Sequence, residues 1–209
     1  MGRSLQGGGV IQPARIVSRE RPEDVLSRGD SNLAAIIVSQ PQRWPTAPDE
    51  DPIWGLVRIV IAQQVATRLA CGIARRLLAT FPTLSSPSRG TIPRVADLRA
   101  LGLPQRRASS CVEILQRADE ISESVNRGAT WQIALKGIKG VGPWTLSTFR
   151  IMVLREPDVL PLGDIGLERA IGRTYGADQD IEKLAENWRP FRSVACWYLW
   201  RTLGNEQLG

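Results

Sequence analysis

Between Asp51 and Ala62 the chain reads DPIWGLVRIVIA, and Ile53, Trp54, Leu56, Val57, Ile59, Val60 and Ile61 leave almost no polar face. A surface helix carries one apolar stripe; a helix apolar nearly all round must be enclosed by other elements. The stretch therefore predicts a central helix, opened by Asp51 as N-cap and Pro52 in the first turn. A chain of 209 residues around such a helix makes one large domain or two small ones. No alternating strand pattern and no repeat interrupts the helical periodicity, so the fold class is all-α.

Leu135 to Arg150, LKGIKGVGPWTLSTFR, places two short helical runs either side of a turn made by Gly137, Gly140 and Gly142. Pro143 stands where the second helix begins, with its fixed φ already helical. Unpaired N–H groups at such a turn, next to a helix N-terminus, form a ready anion site. The residues alone leave two uses open: closing a helical hairpin, or holding a phosphate. Lys136 and Lys139 flank the turn, and a second element, Val159 to Gly172, follows closely.

Composition narrows the chemistry. The formal charge is +6, which suits a polyanionic partner. There is no histidine, which removes His-based nucleophile triads and His-ligated zinc. Cys71, Cys111 and Cys196 lie far apart in apolar helical contexts and read as reduced thiols of a cytosolic protein. No stretch is apolar enough to span a membrane. Residues 1–27 read as a flexible N-terminal arm and residues 28–209 as a helical body, with the hairpin motif at 131–150. Within the body, helices are expected at Asp30–Ser39, Arg68–Phe81 (capped by Thr67), Val95–Leu101, Gln105–Val125, Ile181–Trp188 and Pro190–Leu203.

Three further groups of residues stand out. Gln63 and Gln64 end the buried run, where a polar helix end is the plain reading. Asp164 precedes Ile165 and Gly166, and an Asp at such a place is most often an N-cap. Trp144, Trp200, Trp54, Trp197 and Tyr198 are either core or aromatic lining for a pocket.

Together these stretches resemble the helix–hairpin–helix DNA glycosylase superfamily, and within it the 3-methyladenine DNA glycosylase II branch. The similarity is carried by IVIAQQVATRLA (59–70), LGLPQRRA (101–108), GIKGVGPWTLSTF (137–149), LPLGDIGLERAIG (160–172) and WRPFRSVACWYLWR (188–201). The resemblance implies a two-lobed helical fold with a DNA cleft between the lobes. It implies that Asp164 is the catalytic carboxylate, and that Trp144, Trp200 and Trp54 line a pocket for a flipped base. Gln63 and Gln64 would form the wedge that fills the duplex, Gln64 at the wedge position itself. Lys139, Gly140, Val141, Gly142 and Thr145 would hold the DNA backbone. A monovalent cation at the carbonyls of Ile138, Gly140 and Val141 is a further expectation from the family; no other cofactor is implied.

The departures from the family pattern also speak. Members that cut the DNA strand carry a Lys where this chain has Trp144, so water rather than an amine is the expected nucleophile. Thr148 stands where relatives often have an aromatic, which implies a wider or retuned pocket. Arg106 and Arg107 are phosphate contacts or solvated charges; Arg169, Arg173 and Arg192 reach phosphate or brace a carboxylate. The expected activity is monofunctional release of alkylated purines from duplex DNA by a cytoplasmic, nucleoid-associated, bacterial-type monomer. Two alternatives stay open: a glycosylase for deaminated or oxidised bases, and a non-catalytic helix–hairpin–helix DNA-binding protein.

Overall fold

The computed structural model describes residues 20–128 and 131–204, and among them regular structure is helical throughout. The chain opens with α1 (Pro22–Gly29) and α2 (Ser31–Ser39), then the apolar run as α3 (Pro52–Ala62) and α4 (Thr67–Thr80). After a 3-10 turn come α5 (Val95–Ala100), α6 (Gln105–Gln116) and α7 (Ala118–Asn126). The hairpin pair is α8 (Trp131–Leu135) and α9 (Pro143–Met152). The chain closes with α10 (Ile165–Tyr175), α11 (Ile181–Glu186) and α12 (Arg192–Arg201).

α3 is the axis of one packing group, touching α4, α6, α7 and α9. Ile53, Leu56, Val57, Val60 and Ile61 have no exposed surface at all, as their pattern requires. The Asp51 carboxylate caps this helix by accepting the Trp54 N–H at 2.9 Å. Arg89 grips the same carboxylate at 2.6 and 2.7 Å, with both side chains almost wholly buried. Breaking a buried pair by removing one partner costs about 3–5 kcal/mol, so Arg89 pins the start of the axis. The second group is α1, α2, α10 and α12, with α12 in contact with the other three. Asp30 stitches it: it caps α2 and accepts the Tyr175 O–H at 2.8 Å and the Trp188 Nε1–H at 3.0 Å. The cleft lies between the two groups and takes its lining from both.

Several boundaries differ from the sequence reading. The expected arm ends sooner: Pro22–Gly29 is a helix that buries Glu23 and Leu26 against its neighbours, while residues 1–19 lie outside the described residues. Glu23 earns its burial by accepting the Trp44 N–H and the Tyr198 O–H, each at 3.2 Å. α2 buries only Leu33 and Ile37, so it covers the core with one face rather than lying within it. The helix expected from Gln105 to Val125 breaks at Arg117, whose ψ of 16° leaves the helical range. Thr67 is the first residue of α4, and Ala66 occupies the cap position.

Candidate active site

Asp164 is the N-cap of α10 and is 7 % exposed. Its Oδ1 accepts the Leu167 N–H and, at 2.9 Å, the Trp200 Nε1–H from α12. Its Oδ2 accepts the Trp144 Nε1–H from the first turn of α9. Three helices thus converge on one carboxylate, and two indoles fix its plane through charge-assisted hydrogen bonds. Gly166 makes the approach feasible: a Cβ there would sit 3.1 Å from Asp164 Oδ1 and 3.6 Å from the Trp200 ring.

The carboxylate opens onto a cleft of about 1650 Å³. One wall is α9, where Trp144, Thr148 and Met152 recur at one-turn spacing; the other is α12, with Trp197, Trp200 and Arg201. The glycine hairpin and the loop from Gln63 to Thr67 form its rim. Gly140 has φ +92°, and a Cβ there would meet Ser110 Oγ at 3.0 Å, so the hairpin fits only as glycine. Ser110 in turn donates to the Lys139 carbonyl.

A hairpin between two helices, a half-hidden carboxylate and an aromatic cleft beside them have a counterpart among known proteins. Residues 57–191, well over half of the chain, match the model of the HhH-GPD superfamily of base excision DNA repair proteins. The chain belongs to this superfamily. It is 32 % identical over 200 residues to the "probable bifunctional transcriptional activator/DNA repair enzyme AlkA" of Mycobacterium tuberculosis, covering 87 % of this chain and 40 % of that protein. The chain therefore spans well under half the length of that relative. It is 26 % identical over 206 residues to DNA-3-methyladenine glycosylase 1 of Schizosaccharomyces pombe, covering 90 % of this chain and 89 % of the relative. A solved structure of a 3-methyladenine DNA glycosylase from the same yeast, in complex with abasic DNA, superposes with a TM-score of 0.70 at 25 % identity. That superposition covers 88 % of this chain and 96 % of the other.

Within this HhH-GPD protein the two glutamines have separate tasks. Gln63 does not point outward: its Nε2 donates to the Gly140 carbonyl at 2.8 Å and to Thr145 Oγ1 at 2.9 Å. It is a tether, which corrects its placement in the wedge. Gln64 is exposed at the rim of the cleft with φ +54°, a left-handed conformation that forces its side chain out of the helical path. Arg107 holds the turn from behind, donating to the Gln63 carbonyl at 2.6 Å and the Ile61 carbonyl at 3.3 Å. The end of α3 exposes carbonyls that need donors, and Arg107 Nη1 supplies them while the half-buried side chain still lines the cleft.

The hairpin residues also divide. Lys139 is exposed and Gly140 and Gly142 are half-buried at the rim. Thr145 is 2 % exposed and is engaged by Gln63, so its hydroxyl is not a surface contact. The Val141 N–H is used within the turn, on the Ile138 carbonyl at 3.0 Å. The Gly140 carbonyl already accepts from Gln63 and, at 3.4 Å, from Thr145. The Ile138 carbonyl thus accepts one hydrogen bond and keeps a second lone pair, so these contacts do not fill the expected cation donor set.

Trp54 is not in the cleft. It sits 5 % exposed near the start of α3, beside Pro48, Pro52 and Pro87. Nine residues of helical rise, about 13 Å, separate it from Gln63 at the other end. Tyr198 is fully buried and bonded to Glu23. Arg192 does brace a carboxylate, but that of Asp158 at 2.6 Å rather than Asp164.

At the end of the cleft beyond Met152, Trp197 and Thr148 meet an expectation of the sequence, whereas Arg155, Trp44 and Arg201 meet none. Arg155 lies with its guanidinium 5.5 Å from the Trp44 ring centroid. Trp44 packs edge-on against Trp197 at 5.9 Å, and Arg201 lies 4.6 Å over Trp197. Arg155, Thr148, Trp197 and Arg201 all line the cleft. Arg155 follows the C-terminus of α9 with φ +55°, outside any periodic pattern. Only the spacing of Trp197 and Arg201, one helical turn apart, gave a sequence signal.

Proposed function

We propose that this protein hydrolyses the N-glycosidic bond of alkylated purines in duplex DNA, releasing the base and leaving an abasic site uncut. The observation that carries the reading is Asp164, a carboxylate oriented by two indole N–H groups on the edge of an aromatic cleft. Cleaving the bond builds positive charge on the sugar. A fixed carboxylate stabilises that charge and positions the attacking water, taking its proton or passing it to solvent. Trp144 occupies the place an amine would need for strand cutting, and its N–H is committed to Asp164. An electron-rich indole face suits a cationic alkylated base. Exposed Gln64 enters the gap left by the flipped base, which offsets part of the unstacking cost of a few kcal/mol. Lys139 and the glycine turn hold phosphate, and the chain acts as a monomer without a cofactor. Names of the relatives support the substrate class. No described helix is long and apolar enough to cross a membrane, in keeping with work in the cytoplasm, on the nucleoid.

The test is single-turnover base release from methylated duplex DNA by wild type and Asp164→Asn, with strand breaks scored before and after alkali. Release by wild type alone, with breaks only after alkali, is the expected result. Full activity in Asp164→Asn overturns the mechanism. Binding to methylated DNA without release favours the non-catalytic reading, and release confined to uracil, hypoxanthine or oxidised guanine favours another lesion class.

A further inference from the structure

We propose that Arg155 reads the far edge of the flipped base and favours a lesion with an oxygen at purine C6 over one with an amine there. The inference rests on the cleft being a base pocket. Arg155 is 2 % exposed in its side chain and lines the cleft. Its Nη2 is committed to Asp49 at 2.9 Å, but Nε and Nη1 are buried with no acceptor among the described residues. Thr148 Oγ1, on the same wall, is likewise buried without a partner. A guanidinium has donors only. A C6 oxygen offers the acceptor those donors lack, whereas a C6 amine presents further N–H groups at the same position. Sites built to bond a particular polar group reject the analogue without it far more strongly than an apolar pocket rejects a missing methyl.

The layout places charge to match. Asp164 is bonded to Trp144 in the first turn of α9, whereas Arg155 follows the C-terminus of that helix and is joined to Arg201 through the Trp44 and Trp197 rings. Thr148 lies one turn beyond Trp144, between the two ends. When the C1′–N9 bond breaks, its electron pair moves into the ring. In 7-methylguanine this neutralises the cationic base and raises electron density at O6, facing the arginine. Water gives C1′ its hydroxyl, and the remaining proton passes to solvent.

The experiment uses one duplex DNA, methylated to carry 7-methylguanine and 3-methyladenine, with wild type, Arg155→Met and Arg155→Lys. Both lesions are cationic, so the comparison holds the charge of the base constant. The free bases are separated and timed, each above its spontaneous release. Arg155→Met is expected to slow 7-methylguanine release about 10-fold or more while 3-methyladenine stays within about 2-fold. Arg155→Lys, which keeps the charge beside Asp49, shifts the ratio in the same direction by less. Thermal melting reports folding, and if Arg155→Met fails to fold, the ratio in Arg155→Lys decides. An unchanged ratio, or an equal loss of both bases, in a folded variant overturns the proposal. Release of neither base by wild type overturns the assigned function with it; release with an unaltered ratio overturns this inference alone.

Discussion

The Gln63 side-chain amide donates to the Gly140 carbonyl at 2.8 Å across 77 residues of sequence, so the loop after α3 and the glycine hairpin move as one unit. The neighbouring Gln64 takes no part in that bond and faces solvent at the rim. Gln63→Ala should therefore cost stability, about 1–2 kcal/mol for lost bonds to part-buried acceptors. Gln64→Ala should leave stability within about 1 kcal/mol and instead slow base release. Urea unfolding of both variants, alongside single-turnover kinetics, checks the split. Equal destabilisation by the two would remove the distinction.

Trp200→Phe keeps the ring but deletes the N–H that meets Asp164 Oδ1. A hydrogen bond to a charged group is worth about 1.5–3 kcal/mol, so release should slow by roughly 10- to 100-fold. Trp144→Phe should act similarly through Oδ2. Because the two indoles hold one carboxylate, the double variant should lose less than the product of the single losses. Full multiplicative loss would mean that they act apart.

Gly166→Ala separates activity from stability. Inside α10, Ala is preferred to Gly by about 1 kcal/mol, which favours the folded state. Its methyl carbon would also crowd Asp164 Oδ1 at 3.1 Å and turn the carboxylate. The propensity gain offsets part of the strained cap, so the expected variant loses at most about 1 kcal/mol of stability yet releases base at least about 10-fold more slowly. A variant with undiminished turnover would show that the carboxylate tolerates displacement.

The thiols give a probe of the core. Burial pushes the Cys111 thiol up to about 12, and burial together with the negative charge of Asp164 raises that of Cys196 further. Thiolates are the reactive species, so neither should react with iodoacetamide at pH 8 in the native protein. Half-buried Cys71 is the residue to label first, and all three should react in denaturant. Rapid native labelling of Cys196 would mean that the wall of the cleft opens readily.

How much of this was legible depended on how local the signal was. The Asp51–Pro52 start, the enclosed α3, the glycine hairpin and the cap at Asp164 are written within a few residues each, and the sequence reading places them correctly. Family resemblance pointed to Asp164, Trp144 and Trp200, and the fold brings these three side chains together. What failed needed partners distant in sequence. Gln63 looks as free as Gln64 until Gly140 is seen beside it. Trp54 looks as suited to a pocket as Trp197 until the direction of α3 is known. Arg155 follows a helix end in a left-handed turn, and nothing periodic marks it. The start of the body was misjudged because PEDVLSRG is polar; its one buried acid is balanced by Trp44 and Tyr198, which lie 21 and 175 residues away.

That last contact bears on how the protein comes into being. Glu23 and Tyr198, 175 residues apart, are fastened together, and the helix that carries Tyr198 also supplies Trp197 and Trp200. On a translating ribosome the other ten helices can be made and partly packed while this seam stays open. Asp164 would then lack one of its two indole donors until residue 200 has emerged. A message cut short before residue 200 would yield a product able to bury much of its hydrophobic surface but not to assemble the site, so completion of the site waits on α12 rather than accruing by degrees.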